Sequence, residues 1–233
     1  MTLTELINLA RTRLRDNLAP YLWSDSDLTE FANSAVNEAC LRSRVLQSVV
    51  PITTIIGTAA YLLPYTILKP LSAYFTDATG KITPLLPIDQ DKFLSLQAVN
   101  FGGSNRPTHY TRGTGNTIQL FPTPSMVGIA TFTIARMPTA LETMEDGDSS
   151  PVIPIEFHRD LIYWMLSEAY LVDVSDTKSS KNADLNEAKF EARFGRKITA
   201  RGEAQGRKSI VGSDMQPMSF VGGGGSYLTD SFF

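Results

Sequence analysis

Side chains that could perform chemistry are few in this sequence, and they are scattered. Its one thiol is Cys40, and its two imidazoles are His109 and His158. Neither histidine lies in a Cys/His spacing pattern of the kind that zinc sites use, so we expect ordinary surface or interface histidines. Cys40 follows an apolar helical stripe and has no neighbouring base to favour its thiolate. We therefore expect a packed cysteine and no metal centre.

Three groups of acidic residues stand out as candidate cation ligands. The pairs Asp25/Asp27 and Asp89/Asp91 stand where helices are predicted to begin, which favours helix capping over cation binding. The third group lacks the twelve-residue pattern of a Ca²⁺ loop and consists of Glu142, Glu145, Asp146 and Asp148. We call residues 142–148 the acidic loop. A solvated loop is its favoured interpretation, ahead of a charged contact with a neighbouring subunit, and a Ca²⁺ site comes last.

Recognised catalytic and cofactor motifs are missing. The sequence contains no G-x-S-x-G, no P-loop and no G-x-G-x-x-G, which are the patterns of nucleophile elbows and phosphate cradles. We therefore predict no catalytic residue and no cofactor, and we expect a protein that is not an enzyme.

The last predicted helix, about residues 182–203, is locally basic. Its cations are Lys189, Arg193, Arg196, Lys197 and Arg201. A solvated face with cations near a helix C-terminus is the first interpretation. Contact with an acidic partner surface or with passing DNA is the second. Base-reading motifs are missing, so sequence-specific DNA binding is not expected.

Composition excludes several classes of protein. Of the 233 residues 42% are hydrophobic and 19% charged, and the net charge is −3. These values are typical of a folded chain without global attraction to nucleic acid or anionic membranes. No apolar run approaches the roughly 18 residues of a membrane span, and the first residues lack the order of a signal peptide. We expect a chain made in the cytoplasm, without membrane partners and without an internal disulfide.

The periodicity of apolar residues changes twice along the chain. Residues 1–47 predict two helices, the first begun by a Thr2/Glu5 capping box and the second by Ser24 or Ser26. Residues 48–150 predict short strands, with a hairpin turn at 112–116 and a short helix at 89–100. Residues 151–205 predict another helix pair. The resulting fold class is α+β: a four-helix-bundle-like body with an inserted antiparallel β domain at 48–150 and an extended C-terminal arm at 206–233.

The arm carries the strongest indication of function. It contains four consecutive glycines, Gly222 to Gly225, which behave as a flexible linker. Four large apolar residues that we expect to be exposed follow them: Tyr227, Leu228, Phe232 and Phe233. Such an end is an aggregation hazard unless another molecule receives it, so the sequence predicts an arm that orders on binding a partner.

Three stretches resemble the head-to-tail adaptor (neck or connector) proteins of tailed bacteriophages. The first is L-W-S-D-S-D-L-T-E-F-A-N-S-A-V-N-E-A, an aromatic and acidic cap before an alanine-rich helix. The second is T-I-Q-L-F-P-T-P-S-M-V-G-I-A-T-F-T-I-A-R-M-P, a hairpin around a Pro-x-Pro turn. The third is I-P-I-E-F-H-R-D-L-I-Y-W-M-L-S-E-A-Y-L-V-D-V, followed by a helix that ends near F-G-R-K. The glycine-rich arm ending in Phe232 and Phe233 is not matched residue by residue in this resemblance.

The resemblance implies a structural virion protein of the neck, made in the host bacterial cytoplasm. It implies a ring, typically of twelve subunits, that binds the portal above and tail nozzle or tail tube proteins below. DNA would pass non-specifically through an axial channel, and a C-terminal arm would enter clefts of the portal. Two alternatives stay open: another tail-attachment module, for nozzle or fibre docking, and a nucleic-acid-binding accessory factor.

Overall fold

The computed structural model describes residues 1–98, 106–172 and 177–197. Within them lie five α-helices: α1 (Leu3–Leu14), α2 (Asp25–Ser43), α3 (Gln90–Ala98), α4 (Leu161–Val172) and α5 (Thr177–Phe194). Eight strands lie between α2 and α4: β1 (Gln47–Thr53), β2 (Ala60–Leu62), β3 (Ile67–Asp77), β4 (Ile82–Pro84), β5 (Leu86–Pro87), β6 (His109–Arg112), β7 (Thr117–Phe121) and β8 (Gly128–Arg136). Two 3₁₀ turns, Ala140–Glu142 and Ile155–Asp160, complete the regular structure.

The helix starts follow local capping rules. Thr2 and Ser24 are N-caps with complete capping boxes, in which the side chains of Glu5 and Asp27 return to the cap backbone. The predicted capping box of Thr2 and Glu5 is thus confirmed, and of the two candidate caps for the second helix, Ser24 and Ser26, the structure has Ser24. The final helix was predicted at about residues 182–203, but α5 begins earlier, at Thr177, and ends about nine residues earlier, at Phe194. It ends there because Gly195 follows directly with a φ of 92°. Glycine adopts this left-handed conformation without steric cost and so ends the helix.

The helical part is not the four-helix-bundle-like body that the sequence predicted. In such a bundle each helix turns one apolar stripe toward a shared axis. α4 instead packs against α1, α2 and α5 together. Its buried residues lie on almost every side: Leu161, Ile162, Trp164, Met165, Leu166, Ser167 and Ala169. A helix that is apolar on most sides must be covered on most sides, so α4 is a central helix that α1, α2 and α5 surround.

The strands form two four-stranded sheets, ordered β1-β8-β3-β4 and β2-β7-β6-β5. The first is antiparallel throughout its described pairs, whereas β5 and β6 in the second run parallel. The prediction of a purely antiparallel β domain was therefore wrong at that pair. The rings of Tyr110 in β6 and Phe132 in β8 meet edge to face, with centroids 5.3 Å apart. The two sheets thus pack face to face as a sandwich.

Two apolar cores result, one among the helices and one between the sheets. In the second, Gly128 permits a close approach of β8 to β3. A Cβ added there would lie 2.4 Å from Cζ of Phe75 and 2.5 Å from the carbonyl oxygen of Thr76. Leu46 and Met137, which flank the sandwich in sequence, pack with the helical core. Among the described residues, no helix is both long and apolar enough to cross a membrane.

Candidate functional site

The cysteine and the two histidines that the sequence analysis considered for catalysis or metal binding lie apart in the fold, and their environments are formed by the chain itself. Cys40 is fully buried, and burial raises the pKa of its thiol to about 12. His158 is buried too, which corrects the expected surface position. Its Nε2 lies 2.7 Å from the carbonyl oxygen of Ile153 and so donates, leaving Nδ1 to accept from the Met1 ammonium at 3.2 Å. Burial, reinforced by Lys92, lowers the pKa of half-buried His109. The described part of the chain contains no group of three ligand residues that could hold a metal.

The acidic loop begins with an ion pair internal to the chain. Both carboxylate oxygens of Glu142 accept hydrogen bonds from the guanidinium of Arg136, at 2.6 and 2.7 Å. Arg136 is buried at the end of β8 and also donates from Nε to Oγ of Ser48 at 2.8 Å. The hydrogen bonds from Arg136, with help from Thr139, lower the pKa of Glu142 to about 2. Glu142 therefore stabilises the connection between the sandwich and the helices within the chain.

The rest of the acidic loop is held firmly against α1 and α2. Asn33 donates to the carbonyl oxygen of Met144 and accepts from its amide, both at 2.9 Å. The amide of Thr4 donates to the carbonyl oxygen of Gly147 at 3.0 Å. The remaining acids of the loop are exposed: Glu145, Asp146 and Asp148. The loop thus presents three carboxylates from a fixed backbone.

The basic end of α5 is partly neutralised within the chain. Arg193 donates to Asp160 at 2.6 Å, and Arg196 donates to Glu191 at 2.9 Å. Lys189 lies over the ring of Tyr163, 5.6 Å from its centroid. Lys197 is exposed, whereas Arg201 lies outside the described residues. The predicted arm residues, Tyr227, Leu228, Phe232 and Phe233, also lie outside them.

Residues 17–22 form an apolar loop between α1 and α2, which we call the 17–22 loop. Its sequence is N-L-A-P-Y-L, without a charge. Leu18, Tyr21 and Leu22 are 84%, 51% and 70% exposed. The loop is nevertheless braced, since the amide of Leu22 donates to Asp16 at 2.8 Å and the guanidinium of Arg11 lies 3.9 Å from the centroid of the Tyr21 ring.

A buried arginine organises this brace. Arg11 donates to Asp16 at 2.9 Å, to Asp25 at 2.6 Å and to the carbonyl oxygen of Trp23 at 3.0 Å. Sequence reasoning did not find this network and explained Asp25 by capping alone. The available signal was an arginine inside the apolar stripe of α1, between Ala10 and Leu14, where a buried charge requires acidic partners.

A second uncharged surface lies on the solvent side of the sheet β1-β8-β3-β4. We call it the outer sheet face. The strand register aligns its residues in rows, and they are Val49, Pro51, Thr53, Ile129, Thr131, Thr133, Ser72, Tyr74, Thr76, Ile82 and Pro84. None of these eleven is charged, although 19% of the chain is. The adjoining row of the register, Gln47, Ala135 and Lys69, places one charge at the border of the face. Val49, Ile82 and Ile129 are 64%, 64% and 47% exposed.

These surfaces suit binding to other macromolecules better than catalysis. Exposed apolar patches on soluble proteins commonly mark interaction sites, and a braced backbone loses little entropy on docking. A comparison with family models matches residues 1–215 to a family described as SU10 adaptor protein. The match excludes residues 216–233, which include the four glycines and the apolar end of the arm. No curated protein matches the chain.

Proposed function

The chain belongs to the family of SU10 adaptor proteins, and we propose that it is a structural protein of a tailed-phage neck. In this proposal copies of the chain form a ring between portal and tail, and the ring leaves an axial channel for DNA. The family match is the observation that carries the proposal. We propose a ring of twelve copies, because that is the number implied by the resemblance to head-to-tail adaptors.

The arm at 206–233 is proposed to bind the portal through Tyr227, Leu228, Phe232 and Phe233. A short apolar anchor on a flexible linker binds weakly alone but strongly when many copies act together in one ring. The family match ends at residue 215, so these four residues lie outside the matched region and the role of the anchor rests on its sequence.

Deletion of residues 222–233, compared with the full-length protein, tests both the portal-binding role of the arm and the adaptor function. The truncated protein should fold, because it keeps every residue of the helical and sandwich cores that the structure describes. Full-length protein should co-sediment with purified portal, and the truncation should not. Unimpaired co-sedimentation of the truncation would refute the role of the arm. Failure of the full-length protein to bind portal or any tail protein would refute the adaptor function.

The two charged surfaces have separate proposed roles. The exposed carboxylates of the acidic loop would face a neighbouring subunit or a tail protein. The basic end of α5 would face the DNA channel or an acidic partner surface. Its ion pairs with Asp160 and Glu191 leave a modest positive potential, which suits a channel wall that DNA must pass without sticking. Duplex binding that weakens steeply with salt would instead favour a nucleic-acid-binding accessory factor.

A further inference from the structure

We propose that the 17–22 loop of one copy docks on the outer sheet face of the next copy. This inference rests on the proposed ring and names the surfaces that would join its subunits. The residues that define both surfaces are uncharged, and both surfaces expose large apolar side chains, although Thr131 within the outer sheet face is buried. Both surfaces are fixed in shape before any partner arrives. Their occupant in this proposal is therefore the other surface of a second, identical chain.

The positions of the two surfaces favour a contact between copies. The 17–22 loop lies just before α2. The outer sheet face begins with β1, which starts four residues after the last residue of α2. α2 has 19 residues, which corresponds to a length of about 28 Å. The loop is braced on the helical core, whereas the face belongs to the sandwich. Each copy thus carries the two halves of the contact on different parts of its fold.

Two different surfaces that bind each other make a heterologous contact. Such a contact runs head to tail from copy to copy and closes into a ring when the rotation between copies allows it. A face that bound only its own counterpart would instead stop at a dimer with twofold symmetry. The head-to-tail pairing is therefore the one that a ring requires.

Charge also favours an identical chain as the occupant. Each copy carries a net charge of −3, so copies repel one another at long range. A contact centred on uncharged residues adds no like-charge pair to that repulsion. Tyr21 supplies the kind of amphipathic aromatic residue that is enriched at the centre of interfaces, and Leu18 and Leu22 flank it.

The size of the face predicts a weak contact between two copies. Four strands about 4.8 Å apart and seven residues of about 3.3 Å each give a face of roughly 400 Å². A stable complex of standard size uses about 800 Å² on each partner. A single contact should therefore dissociate in dilute solution, while a closed ring, in which every copy makes two, should persist.

Cysteine cross-linking tests the contact directly. We expect the double variant Leu18→Cys/Ile129→Cys to form disulfide-linked oligomers, up to the complete ring, when assembled protein is oxidised. Cys40 can stay in place because it is fully buried. The matched control is Leu18→Cys/Leu62→Cys, since Leu62 is a 76% exposed strand residue of the other sheet. Cross-linking no greater than in this control, in rings seen by electron microscopy, would overturn the contact.

Charge insertion provides the second measurement. Leu18→Glu and Ile129→Glu should each raise the concentration at half-assembly at least tenfold in analytical ultracentrifugation, whereas Leu62→Glu should not change it. Circular dichroism should show all three variants folded. Dimers of the single variant Ile129→Cys would show a face-to-face contact and refute the head-to-tail one. If rings still form with Leu18→Glu and with Ile129→Glu, this contact is refuted and the adaptor proposal stays intact. If the wild-type protein never assembles, alone or with portal, both are refuted.

Discussion

Replacing Glu142 by glutamine should destabilise the fold by about 2 kcal/mol at neutral pH. The carboxylate accepts two hydrogen bonds from buried Arg136 and one from the amide of Thr139 at 2.8 Å. Its pKa lies at about 2 instead of 4.5, and at ~1.4 kcal/mol per tenfold change in proton affinity this corresponds to about 3 kcal/mol. The side chain is 26% exposed and glutamine retains one acceptor, so the expected loss is smaller.

The pH dependence separates this ion pair from a general packing defect. Because the pKa of Glu142 is lowered on folding, its contribution to stability is complete above about pH 4.5 and disappears as the pH falls toward 2. Urea unfolding of wild type and Glu142→Gln should therefore show a gap at pH 7 that closes toward pH 2. Glu145→Gln, in the exposed part of the same loop, is the control and should change the free energy of unfolding by less than about 0.5 kcal/mol. A gap of equal size at pH 7 and pH 2.5 would refute the reasoning.

Three further outcomes are expected. Gly128→Ala should cost about 3 kcal/mol or more in urea unfolding, since its Cβ would overlap the ring of Phe75; an unchanged midpoint would contradict the close approach. Asn33→Ala removes both hydrogen bonds from Asn33 that fix the acidic loop to α2, so amide exchange at Met144 and its neighbours should accelerate at least tenfold, while Asn37→Ala, exposed on the same helix, should leave it unchanged. Cys40 should stay unmodified by a thiol reagent at pH 8 until the chain unfolds, because it is buried with a pKa of about 12; stoichiometric labelling of the folded protein would contradict its burial.

Features set by neighbouring residues were predictable from the sequence. The capping boxes at Thr2 and Ser24 depend on pairs three residues apart. The hairpin turn depends on Gly115, which adopts a φ of 64° between β6 and β7. Each depends on a local conformational rule, so no knowledge of the rest of the fold was needed.

Features set by contacts distant in sequence were not predictable. The central position of α4 depends on which helices cover its several apolar sides, and the pattern of a single segment does not say. The pairing of Glu142 with Arg136 was missed because the acid belongs to a polar loop that looked solvated. The parallel pair of β5 and β6 was missed for a related reason, because the connection between them includes α3.

The prolines of the sandwich have a consequence for assembly. The outermost strands of the two sheets are β1, β4, β2 and β5; three of them contain Pro51, Pro84 and Pro87, and Pro64 comes two residues after the fourth. Proline offers no amide proton, so it interrupts continuous backbone pairing of a foreign strand along β1, β4 and β5, while β2 is only three residues long. Many copies crowded together during neck assembly would therefore be protected from cross-β polymerisation and could meet through side chains alone.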